Sequence, residues 1–155
     1  MDDIIYRIAY GTEWNECMDL AWRVFQKYDA PDYSEEGIRN FYEFVTDEDL
    51  RALFHKGLYQ IIVAVCNKEI IGIISVRNNN HISLLFVDER FHRRGVGSGL
   101  IKKLGEYLYL EMGQTMMTVN AAPYATEFYH KQGFRDTDAC QELSGIIFTP
   151  MSFYL

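Results

Sequence analysis

The chain lacks an excess of positive charge. Its 155 residues carry 15 Lys and Arg against 22 Asp and Glu, a net charge of −7 and a pI near 5.0. Broad binding to a phosphate backbone needs clustered basic residues in excess, so nucleic acid is not expected as a partner. Long apolar runs are also missing. Runs such as IIVAV at Ile61–Val65 fall far short of the roughly 20 residues a membrane span needs, so no membrane is expected either. Cysteine is scarce: Cys17, Cys66 and Cys140 are an odd number with no metal-like spacing. They fit small buried hydrophobes in a reducing compartment, which gives the cytoplasm as the expected location. The opening stretch, MDDIIYRIAYGTEW, starts acidic and has no long apolar core, so it does not read as a signal peptide. No internal repeat, linker or low-complexity segment interrupts the chain. At 48% hydrophobic it is long enough for one core and short for two, so a single domain over 1–155 is the expectation.

Ile4–Tyr10 has strand-like content, and Thr12 is expected to cap a helix with Trp14, Cys17, Met18, Ala21 and Phe25 on one face. A loop over Asp29–Gly37 leads to a short helix with Ile38, Phe41, Tyr42 and Val45 on one side. A further helical segment, DEDLRALFHKG, closes at Gly57. Tyr59–Cys66, Ile70–Arg77 and His81–Val87 read as an antiparallel meander. Leu100, Ile101, Leu104 and Leu108 then give a helical stripe. Thr115–Asn120 is a strand, and PYATEFYHKQG a helix with Pro123 in its first turn and Gly133 at its stop. GIIFTPMSFYL closes the chain as a strand, placed at an edge because Pro150 has no N–H to give. This order predicts an α/β arrangement around a mixed sheet.

Gly95, Gly97 and Gly99 crowd the start of a helix, although glycine is the poorest ordinary helix former. A strand ending at Val87, a short loop and a helix start near Gly97 gather backbone N–H groups that together carry about half a positive charge. Such an end is an anion site. Glycines let the backbone approach a phosphate and adopt positive φ, and Arg93 and Arg94 add charge. The string G-x-G-x-G is not the G-x-G-x-x-G of a dinucleotide fold, and it follows a meander rather than the first strand of a parallel unit. G-x-x-x-x-G-K-[ST] is absent, as is an obvious cluster of metal-binding acids, so no metal is expected.

What remains, R-G-x-G-x-G after a strand end, resembles the acetyl-CoA pyrophosphate loop of the GNAT-type N-acetyltransferases. The family pattern is Gln or Arg, two residues, Gly, one residue, then Gly or Ala. Here His92 takes the first place, a departure, and Arg93, Arg94, Gly95, Val96 and Gly97 follow. VNAAPYATEFYHKQGF is similar to the second signature, a strand ending in Asn and a helix carrying Tyr before Gly-Phe. The likeness covers most of the chain from Leu58 onward. It implies a mixed, mostly antiparallel central sheet flanked by helices, with a splayed parallel pair, Ile82–Val87 beside Thr115–Asn120. Pantetheine would lie in that gap. The implied cosubstrate is acetyl-CoA, held by Leu85, Phe86 and Val87, by the loop residues His92, Arg93, Arg94, Gly95, Val96, Gly97, Ser98 and Gly99, and by Asn120, Tyr124 and Tyr129.

The resemblance implies an enzyme that moves acetyl from acetyl-CoA to a primary amine of a small molecule or peptide, by direct attack in a ternary complex. An ammonium of pKa near 10.4 cannot attack, and the departing thiolate needs a proton, so a base and an acid are required. Tyr129 stands where the family places its acid; periodicity alone makes it a core aromatic, because Ala125, Phe128, Tyr129 and Gln132 share a helical face. His81, six residues before Val87, stands where the family often has a carboxylate base. Alternation puts His81, Ser83, Leu85 and Val87 on one face. A histidine near pKa 6.5 accepts a proton directly or through water, a role worth about 10²–10⁴ in rate; an idle turn histidine after NNN reads equally well.

Glu35, Glu36 and Glu43 are rival bases or a solvated face. Asn120 bonds the ligand or opens the next helix, and Tyr124 packs beside the cosubstrate or on the surface. Tyr33, Glu36 and Tyr42 are candidate acceptor contacts. The acids Asp29, Asp32, Glu35 and Glu36 would favour a cationic amine. A second reading keeps the fold and drops the chemistry: a non-catalytic acyl-CoA-binding regulatory module. A homodimer is left open.

Overall fold

The structure, a computed structural model, describes residues 3–155. Met1 and Asp2, at the head of the stretch weighed as a signal peptide, lie outside the described residues. The chain runs through β1 (Ile4–Ile8), α1 (Trp14–Tyr28), α2 (Glu35–Val45), α3 (Glu48–His55), β2 (Gln60–Cys66), β3 (Glu69–Arg77) and β4 (His81–Val87). It continues with α4 (Val96–Leu110), β5 (Met116–Ala121), α5 (Thr126–Gln132), β6 (Arg135–Asp136), β7 (Gln141–Leu143) and β8 (Ile146–Tyr154). Strand order is β1-β2-β3-β4-β5-β8-β6, with β7 also on β8. Among the described residues all pairings are antiparallel except β4 with β5, the mixed sheet the sequence predicts. No described helix is long and apolar enough to cross a membrane.

β2 and β3 read as near-continuous apolar runs because both faces are covered. Ile61, Val63 and Ile73 face α1, where Cys17, Ala21 and Phe25 are fully buried. Ile62, Ile71 and Ile74 face α4, which lays down the predicted stripe of Leu100, Ile101, Leu104 and Leu108. Each such side chain contributes about 1.5–3 kcal/mol on burial, so these two layers fix α1 and α4 on opposite faces of one sheet.

Three local expectations are corrected. Thr12 does not cap α1. A short 3-10 turn over Gly11–Glu13 precedes the helix, and the Tyr10 N–H donates to Glu13 Oε1 at 2.7 Å. Glu13 is preset for this by Arg7, whose Nη2 donates to Glu13 Oε2 at 2.9 Å. Secondly, α2 starts at Glu35 rather than near Ile38, because the Ser34 hydroxyl accepts from the Gly37 N–H at 3.1 Å. Thirdly, β8 is not an edge at Pro150. It pairs with β5 on one side, and on the other with β7 up to Phe148 and β6 from Met151. Pro150 falls in the break between those two short strands, where its missing N–H costs no ladder bond, while its carbonyl accepts from the Thr137 N–H at 2.8 Å.

The β7–β8 turn folds back onto α2. Asn40 Nδ2 donates to the Ser144 carbonyl at 3.2 Å, and a Cβ on Gly37 would lie 2.5 Å from the Gly145 carbonyl oxygen. Only glycine at 37 allows that approach, which draws α2 and the final hairpin over the end of the sheet.

Candidate active site

β4 and β5 pair only at His81↔Thr118 and Ile82↔Val119, then part. The cause lies one residue later. Val76 pairs with Ile82 but Ser75 pairs with Leu84, so Ser83 is an extra residue, a β-bulge. The bulge inverts the alternation. Ile82 belongs to the α4-side core, whereas Leu84 and Phe86 belong to the α1-side core, and Leu85 and Val87 pack toward α4. The predicted grouping of His81 with Leu85 and Val87 on one face therefore does not hold. The Asp88 N–H donates to the Ile71 carbonyl on β3 at 2.8 Å, so alternation aims the backbone groups of Val87 and Leu85 away from β3, into the splay. The carbonyl of Val87 accepts from His92 Nε2 at 2.7 Å. His92 thus turns back onto the strand end, its ring 4.9 Å from that of Tyr28.

α4 begins at Val96 after Gly95, whose φ is +80°. The Gly99 N–H makes the first helical bond, to the Gly95 carbonyl at 2.9 Å, which leaves the N–H groups of Val96, Gly97 and Ser98 heading the helix. The three glycines answer to different needs. Gly95 needs its left-handed backbone and has open space where a Cβ would be. A Cβ on Gly97 would meet the Phe128 ring at 3.0 Å, and one on Gly99 would overlap the phenol of Tyr6. The second and third glycines admit neighbouring rings, a packing role that loop spacing does not reveal. Below the loop, Asp88 is 2% exposed. It accepts from the Arg90 N–H at 2.9 Å and from Arg23 at 3.0 Å, and the Arg90 bonds hold its carboxyl well below the usual range. Arg93 and Arg94 are exposed, and among the described residues no carboxylate pairs with them.

The splay opens into a cavity of about 280 Å³ walled by the end of α1, α2, β4, β5 and the start of α5. Of the residues singled out in the sequence, Asp29, Tyr33, His81, Leu85, Phe86, Asn120, Tyr124 and Tyr129 line it. Glu36 and Tyr42 do not. Tyr42 is half exposed, edge-on to Trp22 at 5.1 Å, because α2 turns Asn40, Phe41 and Phe44 inward instead. Phe41 is pinned by stacking on Phe25 with centroids 3.9 Å apart. The rivals Glu35 and Glu43 are exposed and outside the cavity. Wall residues not expected as site residues include Asn40, Phe41, Phe44, Arg77 and Ile146, whereas Asp29 is the one of the four acids expected to favour a cationic amine that lines the cavity. The i, i+4 spacing of Asn40 and Phe44 was a signal for those two.

Tyr129 is 5% exposed, and burial raises its phenol above the usual range, with Asp29 adding to the shift. It stays protonated at neutral pH. His81 Nδ1 lies 2.7 Å from Thr118 Oγ1. Burial lowers the His81 pKa below 6.5, and the Arg77 charge lowers it further, so the ring is neutral at pH 7. Asp29 is 6% exposed; burial pushes its carboxyl up to about 6, against the hydrogen bond donated by Tyr124. A neutral histidine, a protonated tyrosine and a buried carboxylate thus share one cavity. Among the described residues, no three His, Cys, Asp or Glu side chains gather as metal ligands do.

The sequence matches the GNAT acetyltransferase domain over residues 29–155, and the chain belongs to that family. It is similar to the uncharacterized N-acetyltransferase YafP of Escherichia coli K12, 35% identical over 97 residues. That match spans 62% of this chain and 59% of YafP, under two thirds of the relative's length. Among solved structures, a GCN5-related N-acetyltransferase of Rhodopseudomonas palustris superposes with a TM-score of 0.84 at 24% identity, covering 100% of this chain and 98% of that one. The PaiA N-acetyltransferase of Thermoplasma acidophilum, solved with coenzyme A, gives 0.79 at 18% identity, covering 99% of each chain. At these identities the superpositions establish the fold, and the domain match establishes the acetyltransferase family.

Proposed function

We propose that residues 1–155 act as one catalytic domain that transfers acetyl from acetyl-CoA to a primary amine by direct attack. The observation that carries this is the co-location of three features. The N–H groups heading α4, the β4 edge beyond the β5 pairing, where Leu85 lines the cavity and the Val87 carbonyl is already taken by His92, and the cavity holding His81 and Tyr129 all belong to the splayed end of the sheet. Pyrophosphate at the helix end and pantetheine amides along the β4 edge would bring a thioester to the cavity mouth. The coenzyme A in the PaiA relative supports an acyl-CoA as the ligand.

The proton account closes with two groups. His81, neutral and steadied by Thr118, takes a proton from the acceptor ammonium, directly or through water, and frees the nitrogen lone pair. Nitrogen attacks the thioester carbon and the C–S bond breaks. Tyr129 gives its proton to the departing sulfur and recovers one from the nitrogen, which still carries two hydrogens. Net products are the amide, CoA thiol and one proton left on His81 for solvent. Asn120, at the end of β5, lines the same cavity and is suited to hold a pantetheine amide.

Calorimetric titration with acetyl-CoA beside ADP, on wild type and Arg94→Ala, tests the binding half, and an amine screen by thiol release tests the chemistry. Micromolar binding weakened by the variant, with amine-dependent thiol release, is expected. Binding without release under any amine would leave a non-catalytic CoA module; a folded protein that ignores acetyl-CoA would end the proposal.

A further inference from the structure

We propose that Asp29 seats the acceptor's ammonium group, and that the acceptor is a monocationic amine with an apolar body; this rests on the acetyltransferase reading above. Asp29 is the C-terminal cap of α1, its N–H bonded to the Phe25 carbonyl at 2.9 Å. A helix C-terminus carries about half a negative charge, so this is a poor place for a carboxylate and a good one for a cation. Its Oδ1 accepts the Tyr124 hydroxyl at 2.7 Å; among the described residues no donor reaches Oδ2, and no Lys or Arg pairs with the group. A carboxylate buried to this degree without a cation is costly unless a ligand supplies one.

The surroundings suit an ammonium. Tyr33, Tyr124 and Tyr129 line the cavity with Asp29; burial raises the pKa of all three phenols, and the Asp29 charge adds to the shift. Their rings offer cation–π faces. The rest of the wall argues against a second positive charge. Asp32, Glu35 and Glu36 are exposed and outside the cavity, so Asp29 is its only carboxylate among the described residues. Arg77 stands in the wall beside His81, its register partner, and would repel a distal ammonium. Phe41, Phe44 and Ile146 supply apolar surface for the body of the acceptor.

The test compares 2-phenylethylamine with spermidine on the full-length protein, by steady-state thiol release and by calorimetric binding in the presence of CoA. Wild type is expected to favour 2-phenylethylamine in kcat/KM by about tenfold or more. Asp29→Asn should raise its KM about tenfold while kcat and acetyl-CoA affinity change little, and Arg77→Ala should improve spermidine. Preference for spermidine in wild type, or an unchanged KM in Asp29→Asn, overturns the seat. Failure of the two readings is distinguishable: acetylation that favours spermidine keeps the reaction and removes the seat. Asp29-dependent binding of 2-phenylethylamine without turnover keeps the seat and removes the reaction.

Discussion

The hydroxyl of Tyr124 donates to Asp29 Oδ1 at 2.7 Å, tying the turn after β5 to the end of α1 across 95 positions of sequence. The two groups close one wall of the cavity, and the bond only partly offsets the burial of the carboxylate, whose pKa is raised to about 6.

That shift has a stability consequence. Between the ordinary carboxyl pKa of 3.8 and about 6, the folded state holds a proton that the unfolded chain has released. The contribution of Asp29 to stability therefore falls as pH rises through this window and stays low above it. Asp29→Asn should be more stable than wild type at pH 7.5 by ~1–3 kcal/mol, with the gain shrinking toward pH 4. Urea unfolding at both pH values measures it, and equal stability at pH 7.5 would contradict the buried-charge account. A variant that gains stability as it loses acceptor affinity is the pattern of a functional group held at structural cost.

The loop glycines should separate by what they do. Gly99→Ala is expected to destabilise the fold by ~1–3 kcal/mol through its clash with Tyr6, and Tyr6→Ala should relieve part of that loss in a double-mutant cycle. Gly95→Ala strains a residue at φ +80° by roughly 1–2 kcal/mol, with no packing conflict. Its larger effect should fall on acetyl-CoA affinity. Additive losses in the Gly99 and Tyr6 pair would mean that the ring does not set the need for glycine.

The acidic side of the rate profile should contain two ionisations. His81 must be neutral to take a proton, and Asp29 must be charged to hold the ammonium. Desolvation lowers the first below 6.5, and burial raises the second to about 6. Log kcat/KM should steepen toward a slope of 2 once the pH lies below both ionisations, and only toward 1 in His81→Ala. A slope unchanged by the substitution would pass the base role to water.

Tyr129→Phe removes one oxygen from a side chain 5% exposed and packed against Phe128 and Phe134 at 5.3 and 5.2 Å. Packing survives, so acetyl-CoA affinity should hold while kcat drops by about 10²-fold. Unaltered kcat would leave Tyr129 as a core aromatic alone.

The meander, the α4 stripe and the left-handed glycine stop of α5 were legible because each is a local pattern with a local cause. Apolar spacing chooses the period, and Asn67 and Lys68, both at positive φ, close the β2–β3 turn within two residues. β6 and β7 were not legible. At two and three exposed residues they carry no periodicity, and their existence depends on β8 already standing beside them. Tyr42 and Glu36 were drawn toward the site by composition, whereas the rotation of α2 was decided by Phe41 stacking on Phe25 and by Gly37 meeting Gly145.

Sequence alone determined the order of the longer elements, the apolar runs of the central strands and the glycine-rich start of α4, since short-range geometry and burial suffice for these. Tertiary structure alone decided that Ser83 is a bulge, that Gly97 and Gly99 serve Phe128 and Tyr6, and that Asp29 meets Tyr124. The glycine and Asp29 contacts depend on partners distant in the chain, and the bulge on how β4 fits against β3. No local pattern encodes such a partner, because its contribution arises only when packing brings the two segments together.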